Sequence, residues 1–450
     1  MPTKRGSRKG QALDASAPSS TETAAGTPTD GGTGRYLVLL REDAVKEATK
    51  VMSSTASMKV SVASDFGEGD IPHDLGGADA VIFENLGIAV VNTPPDQLDA
   101  LSVTAAEDNP ILVIEAEQYV YALPASDDYL RGYRDAINDL TQRTLAKEAA
   151  AIEDAFAEAL DESKFTWGLQ ATRVPTSRFS GRGIRVAVLD TGLDLGHPDF
   201  AGRSITTRSF ITGEPVQDGH GHGTHCIGTA CGPRTPRQLP RYGIAFEAQI
   251  FAGKVLNNQG SGADGGILSG IDWAVANHCA VVSMSLGAPV APGQGPSAVY
   301  ETAAQRALNA GTLIIAAAGN ESRRPDGTRM EPPAPVGRPA NSPSIMAVAA
   351  LDANLRVAPF SNGGINPNGG EVNIAGPGVA IRSSWPRPRL YNTISGTSMA
   401  TPHVAGIAAL FAQAAPNARG RALWQLLLQN ARHLSLLPRD VGAGLVQALQ

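Results

Sequence analysis

Three segments of the chain carry the residue types that nucleophilic catalysis needs. Asp190 follows the apolar run IRVAVL, His222 lies in the Gly-rich segment DGHGHGTHC, and Ser398 lies in SGTSMATPH. A serine hydroxyl attacks a carbonyl carbon efficiently when a histidine accepts its proton and an aspartate orients that histidine. The order Asp, His, Ser along the chain therefore predicts a nucleophile, its general base and the acid that holds the base.

Each segment alone has a second interpretation. His220, His222 and His225 are close enough in sequence to be metal ligands, although no further cluster of Cys, His or acidic residues follows nearby. A Ser before a helix is commonly an N-cap, and an Asp at a strand end occurs in many folds. We favour catalysis because the three segments occur together, and a metal site at the histidines stays open as an alternative.

The three residues need elements that bring them together. The run at 184–189 predicts a central strand of a parallel sheet, with Asp190 at the carboxyl end, where open α/β sheets build their sites. The Ala-rich apolar run at 404–412 predicts a buried helix just after Ser398. A hydroxyl near a helix N-terminus lies where developing negative charge is stabilised. The predicted fold class is α/β.

Four motifs together resemble those of subtilisin-family (subtilase) serine proteases. They are VAVLDTGLD around Asp190, GHGTHC around His222, SGTSMATPHVAG around Ser398, and IAAAGN ending at Asn320, which resembles the oxyanion-hole segment of the family. The resemblance covers residues 165–450. It implies a mainly parallel sheet with helices on both faces, an Asp-His-Ser triad, and an oxyanion hole assisted by the Asn side chain.

The resemblance also implies a serine endopeptidase that hydrolyses extended polypeptides. SMSLG at 283–287 and GSG at 260–262 resemble the segments that pair with a bound peptide as added strands. AAAG at 316–319 and Gly337 resemble the walls and floor of a side-chain pocket, and a glycine floor leaves room for large side chains. Glu321 could favour basic residues there or be a solvated charge at the rim. The expected substrate-binding residues are Gly260, Ser261, Gly262, Ser285, Leu286, Gly287, Ala317, Gly319 and Gly337.

Residues 35–123 carry no such chemistry and predict a small α+β domain. Strands are predicted at 36–40, 58–62, 80–91 with an interruption at Gly87, and 111–123, and helices at 43–52 and 95–105. This order is that of a ferredoxin-like split βαβ unit, and it resembles subtilase propeptides. The resemblance implies a zymogen whose propeptide is an intramolecular inhibitor, with autocatalytic cleavage near residues 121–126. The alternative is a latent or catalytically silent subtilase-fold protein with a binding or regulatory role.

The remaining segments differ in composition from both units. Residues 1–34 are mostly Ala, Ser, Thr, Gly and Pro and predict a disordered tail, whereas 124–164 predicts a helical linker. No apolar core of a signal peptide follows the basic N-terminus, so we expect a cytoplasmic or non-classically exported protein. The formal net charge is −6. Without a basic stripe or a run of about 18 apolar residues, nucleic-acid binding and a membrane span are disfavoured.

The cysteines and one acidic residue indicate whether the chain has disulfides or a calcium site. The three cysteines are too few for a disulfide framework. Cys226, directly after HGTH as in the proteinase K-like branch, is expected to be a buried thiol beneath His222. Many subtilases bind calcium through an acid that Asp199 matches and a loop that residues 231–241 match. That loop is basic and lacks carboxylates, so we expect no metal there and no cofactor, while calcium elsewhere stays open.

Overall fold

The computed structural model of the chain describes residues 32–66, 75–94, 97–98, 101, 109–123, 161–324 and 332–450. Most of the predicted tail, of the predicted linker and of the predicted helix at 95–105 lies outside these residues. The first strand begins at Gly32, within the segment predicted as tail. Residues 162–164 form a turn instead of the end of a helical linker, because Lys164 O accepts a hydrogen bond from Arg241 N at 2.8 Å.

The described residues form the following elements. The helices are α1 Val45–Thr55, α2 Trp167–Ala171, α3 His222–Cys231, α4 Asp264–Ala276, α5 Ala298–Asn309, α6 Thr397–Ala414, α7 Arg421–Gln429 and α8 Pro438–Val441. The strands are β1 Gly32–Leu40, β2 Val60–Val62, β3 Ala80–Phe83, β4 Ile88–Val91, β5 Ile111–Ala122, β6 Arg185–Asp190, β7 Ile205–Ser209, β8 Gln249–Lys254, β9 Ser261–Ala263, β10 Val281–Met284, β11 Leu286–Gly287, β12 Leu313–Ala317, β13 Met346–Leu351, β14 Ile374–Pro377, β15 Ile381–Ser384 and β16 Tyr391–Ile394. Short 3₁₀ turns connect some of them.

A seven-stranded sheet organises the larger unit. Its order is β14-β13-β12-β10-β6-β8-β7, and every neighbouring pair is parallel. The strands are short apolar runs that are buried almost throughout, as parallel sheets covered on both faces require. The predicted mainly parallel α/β fold is confirmed, with β6 in the interior of the sheet.

Helices cover both faces of this sheet. Val186 and Val188 of β6 belong to the apolar cluster that contains much of α6. Ala187 and Leu189, which alternate with them, belong to a second cluster that contains the apolar residues of α4 and α5. Since successive side chains of a strand point to opposite faces, β6 is buried between two helical layers. The carboxyl end of β6, at Asp190, therefore lies between the two helical layers, at the end of the sheet where its parallel strands terminate.

Residues 32–123 supply five strands, in the order β5-β1-β4-β3-β2, of a second seven-stranded sheet that β9 and β11 complete. Neighbours are antiparallel except β2 and β3. The predicted strand at 80–91 is two strands, because residues 84–87 form a turn that ends at Gly87 with φ +57°. The described sheet thus has five strands of the small unit where the sequence predicted four.

The small unit packs directly on the large one. Val38 and Leu40 of β1 contact the cluster beneath α1, whereas Leu37 and Leu39 join the cluster of α4 and α5. Strand β5 extends the contact, since it pairs with both β9 and β11. None of the helices in the described part of the chain is long and apolar enough to cross a membrane.

Candidate active site

Asp190 and His222 form a buried pair at the carboxyl end of β6. His222 is the first residue of α3, and its Nδ1 lies 2.8 Å from Asp190 Oδ1 and 3.0 Å from Oδ2. Both side chains are about 1% exposed. Gly221 precedes the helix with φ +107°, and a Cβ there would overlap the ring of Trp385. The glycine therefore lets the chain turn so that His222 faces the strand end.

The environment of His222 stabilises its protonated form. Burial alone lowers the pKa of His222, but the charge of Asp190 and its hydrogen bond outweigh burial and raise this pKa well above its usual value. Nε2, the other ring nitrogen, is buried and has no hydrogen-bond partner among the described residues. The imidazole is therefore held at Nδ1 and open to a proton at Nε2.

Ser398 lies at the second position of α6 and is fully buried. Its Oγ is 2.9 Å from Leu123 O and 3.1 Å from Ser285 O. The thiol of Cys226 lies between this serine and His222, at 3.6 Å from Ser398 O and 3.9 Å from His222 Nδ1. The structure thus brings the three predicted residues to one point, with the Ser398 hydroxyl directed at a carbonyl of strand β5's end.

Asn320 follows β12 and points its amide at the same carbonyl. Its Oδ1 accepts hydrogen bonds from Thr397 N and Thr397 Oγ1, both at 2.9 Å. Two donors on the oxygen fix which end of the amide is which, so Nδ2 faces outward and donates to Leu123 O. The Leu123 carbonyl oxygen is therefore held by Ser398 and Asn320 together.

Strand β5 occupies the groove that leads to this point. On one side Tyr119, Val120 and Tyr121 pair with β9, and Ala122 N donates to Gly260 O at 2.8 Å. On the other side Ala122 and Tyr121 pair with Leu286 and Gly287 of β11. The predicted segments at 260–262 and 283–287 thus flank one extended strand on both edges.

Gly287 contacts the Leu123 side chain, and the predicted pocket floor and wall are joined to each other by a backbone hydrogen bond. A Cβ on Gly287 would lie 3.2 Å from Leu123 Cδ1, and Leu123 is 9% exposed. Gly337 N donates to Ala318 O at 2.9 Å. This bond joins Gly337, the predicted floor, to the predicted wall at 316–319. A Cβ on Gly337 would come within 2.7 Å of Ala288 O, so close backbone approach requires a glycine there as well.

Asn362 lies against two residues of the predicted pocket wall and rim, Gly319 and Glu321. Gly319 has φ +113°, and a Cβ there would overlap Asn362. Glu321 is exposed, and its carboxylate accepts a hydrogen bond from Asn362 Nδ2. Glu321 thus lies at the rim with its carboxylate already engaged.

The histidines do not converge as a metal site. The described residues that could together hold a metal ion are Asp190, His222 and Cys226, which are the site residues themselves. His225 Nε2 instead bonds Ile381 O at 3.0 Å, and burial lowers the pKa of His225 to about 3. His403 Nδ1 bonds Met399 O at 2.8 Å, and burial lowers the pKa of His403 to about 4. Both histidines are therefore neutral, and each forms a hydrogen bond with a backbone carbonyl oxygen.

The sequence profile of the subtilase family matches residues 181–444, more than half of the chain. The chain belongs to the subtilase family. A thermostable alkaline protease of Halalkalibacterium halodurans is 37% identical over 319 residues, 69% of this chain and 81% of that protein. M-protease of Shouchella clausii is 38% identical over 269 residues, 59% of this chain and 64% of that protein. Subtilisin E of Bacillus subtilis is 37% identical over 263 residues, 57% of this chain and 63% of that protein.

This subtilase is therefore a subtilisin-like serine peptidase, a hydrolase. For M-protease and subtilisin E, the matched part is less than two thirds of the relative's own length. The motifs around Asp190, His222 and Ser398 were found from sequence because each is a contiguous segment.

Asp218 is a supporting residue that the sequence analysis missed. Its carboxylate accepts hydrogen bonds from Thr191 Oγ1 at 2.9 Å, Gly221 N at 2.8 Å and Thr224 N at 2.8 Å. It therefore ties the turn after Asp190 to the first turn of α3, which fixes the two residues of the buried pair relative to each other. An acidic residue four positions before His222 was the available signal, since carboxylates commonly cap helix N-termini.

The predicted thiol of Cys226 and the carboxylate of Asp199 each have hydrogen-bond partners in the protein. Cys226 is buried and free, as are Cys231 and Cys279, and burial raises the pKa of the Cys226 thiol. The carboxylate of Asp199 accepts hydrogen bonds from Tyr242 OH at 2.7 Å, Tyr391 OH at 3.0 Å and Arg237 N at 2.8 Å. Its oxygens are thus occupied by donors of this subtilase itself.

Proposed function

We propose that the chain is a serine endopeptidase that cleaves extended polypeptides with Ser398 as nucleophile, His222 as general base and Asp190 as the orienting acid. Asn320 contributes to the oxyanion hole, and the chain is made as a zymogen. The observation that carries the proposal is the Leu123 carbonyl, which contacts both Ser398 Oγ and Asn320 Nδ2 at the end of a strand paired on both edges.

The proposed chemistry follows from the atoms around that carbonyl. Ser398 Oγ rotates toward His222 Nε2, gives up its proton and attacks the carbonyl carbon. Asp190 holds Nδ1–H of the imidazolium that forms and does not take its proton. Negative charge on the former carbonyl oxygen is met by Asn320 Nδ2 and by the Ser398 N–H, which lies in the first turn of α6. His222 then protonates the leaving nitrogen, and water resolves the acyl-enzyme.

Residues 32–123 are proposed to be the intramolecular inhibitor. Glu117 is fully buried, is paired with Arg35, and accepts a hydrogen bond from Gly265 N at 2.8 Å in the first turn of α4. Glu115 accepts one from Ala298 N at 2.8 Å at the start of α5. Carboxylates are favourable at helix N-termini, so these two contacts hold β5 in the cleft of the enzyme.

Processing is proposed at the bond after Leu123, inside the range 121–126 expected from the sequence. Intact-mass analysis of the full chain should find a cleaved wild type and an uncleaved Ser398→Ala variant. Ser163→Ala replaces an exposed serine outside the site and should be cleaved like wild type. Cleavage of Ser398→Ala at the same bond would contradict self-processing.

Casein hydrolysis tests the peptidase function itself. The full chain is first treated with immobilised trypsin, which degrades residues 32–123 at exposed basic residues such as Lys46 and Lys50 and is then removed. We expect activity that a serine-directed fluorophosphonate abolishes, that is absent in Ser398→Ala and that is retained in Ser163→Ala. A protein that binds casein without cleaving it would support the catalytically silent alternative.

We further propose that the position of Asp199 needs no calcium, because two tyrosine hydroxyls and a backbone amide supply the donors around its carboxylate. A structural ion at about 100 times its Kd would stabilise the fold by about 2.7 kcal/mol, which is several degrees in Tm. We expect any effect of EDTA on Tm to be the same in wild type and in Asp199→Asn. A Tm that calcium raises in wild type but not in Asp199→Asn would contradict this.

A further inference from the structure

A buried ion pair of the large unit contacts the main chain of β5 beyond the strand ladder. Arg338 Nη1 lies 3.0 Å from both carboxylate oxygens of Asp264. Asp264 is 2% exposed and Arg338 is 9% exposed. Tyr300 OH donates to Asp264 Oδ1 at 3.0 Å. The pair is thus rigidly held at the side of the groove.

Each member of the pair makes one hydrogen bond to the backbone of β5. Arg338 Nη2 donates to Tyr119 O at 2.7 Å, and Asp264 Oδ2 accepts from Gln118 N at 2.9 Å. Leu123, whose carbonyl contacts Ser398, is the first residue before the bond to be cleaved. Tyr119 and Gln118 are therefore the fifth and sixth residues before that bond. They lie farther from it than Tyr121 and Ala122, which pair with β11.

These bonds are charge-assisted, and the two charged side chains that make them are buried, whereas Gln118 is exposed and Tyr119 is half-buried. Burial raises the pKa of Asp264, and the charge of Arg338 opposes that rise. A buried ion pair contributes little to stability by itself, but hydrogen bonds to charged groups are stronger than neutral ones. When β5 leaves, Arg338 Nη2 and Asp264 Oδ2 each lose a partner, and an incoming extended chain restores both.

We infer that Asp264 and Arg338 form a main-chain clamp for the fifth and sixth residues before the cleaved bond. The inference rests on the proposed function, since it takes substrates to bind as β5 does. Both bonds go to backbone atoms, so the clamp recognises length and extended conformation, whatever the side chains. The substrate class is therefore a polypeptide with six or more extended residues before the cleaved bond, not a short peptide.

The test is a series of chromogenic peptides ending in VYAL, the sequence of residues 120–123, with four, five or six residues before the cleaved amide. The full chain is activated with trypsin as above. We expect kcat/KM to rise about 10-fold at each added residue. In Arg338→Ala the rise at the fifth residue should vanish. Arg182→Ala is the control, since it removes an exposed pair with Glu247 at the opposite end of β6. It should keep the rise in kcat/KM at both the fifth and the sixth residue.

A substrate variant keeps the test independent of protein folding. In the N-acetylated six-residue peptide, replacing the N–H of the sixth residue by an ester oxygen removes the donor to Asp264, and wild type should then lose the rise that the acetylated amide peptide shows at that residue. Equal kcat/KM for all three lengths, or an unchanged rise with the ester, overturns the clamp while leaving the peptidase function supported. Absence of cleavage of every peptide overturns the clamp together with the proposed function.

Discussion

The contact between Glu115 and α5 gives a sharp prediction about how residues 32–123, the proposed inhibitor, dock on the large unit. Its carboxylate accepts hydrogen bonds from Ala298 N at 2.8 Å and Val299 N at 3.4 Å, and from Ser297 Oγ, the N-cap of α5. Glu115→Ala removes all of these and leaves two amides at a helix N-terminus. Hydrogen bonds to a charged group contribute about 1.5–3 kcal/mol each. Because Glu115 is only half-buried and water can replace part of the contact, we expect docking to weaken by about 2 kcal/mol.

Hydrogen exchange of the Ala122 amide reports this loss. The measurement uses the full chain with Ser398→Ala, in which β5 stays covalently attached, and Ala122 N is bonded to Gly260 O. About 2 kcal/mol corresponds to roughly 30-fold faster exchange. Glu47→Ala, which removes an exposed acid of α1, is the matched control and should change nothing. Exchange within about twofold of the parent for Glu115→Ala would refute the proposed docking contact.

Three further outcomes are expected. Asn320→Ala should lower kcat about 10²–10³-fold in the activated enzyme with little change in KM, the loss measured for one oxyanion-hole donor in subtilisin; an unchanged kcat would exclude the amide from the chemistry. Because the pKa of His222 is raised and catalysis needs the neutral ring, kcat/KM should fall as pH is lowered through a value above 6.5; an acid limb below 6.5 would contradict the effect of Asp190. Pro124→Ala should speed self-processing after Leu123, since proline places a ring carbon where other residues have N–H and crowds proton delivery to the leaving nitrogen; equal rates by intact mass would contradict this.

The parts of the fold that follow from local patterns were accessible from the sequence. The apolar run before Asp190 predicts β6, and the Ala-rich run after Ser398 predicts α6, since each element is decided by contiguous residues. The strand predicted at 80–91 was wrong in one respect. The interruption expected at Gly87 is a turn that splits the run into two antiparallel strands, β3 and β4, where the sequence analysis counted one strand.

Long-range partners could not be read from the sequence in the same way. Asp264 and Arg338 are 74 residues apart, and the bond from Gln118 to Asp264 spans 146 residues. Neither residue belongs to a recognisable motif, and each looks like an ordinary surface charge in sequence. Their roles depend on how β5 enters the groove, and that is decided by tertiary packing between two units.

The central claim is that Ser398 is the nucleophile that β5 covers. The most direct measurement is mass-spectrometric mapping of a fluorophosphonate adduct in the full chain before and after the inhibitor is removed. We predict no adduct while β5 occupies the groove, and a single adduct on Ser398 after activation, formed in parallel with the loss of casein hydrolysis. Labelling of a residue other than Ser398, or loss of casein hydrolysis after fluorophosphonate treatment while Ser398 stays unmodified, would contradict the claim that Ser398 is the nucleophile.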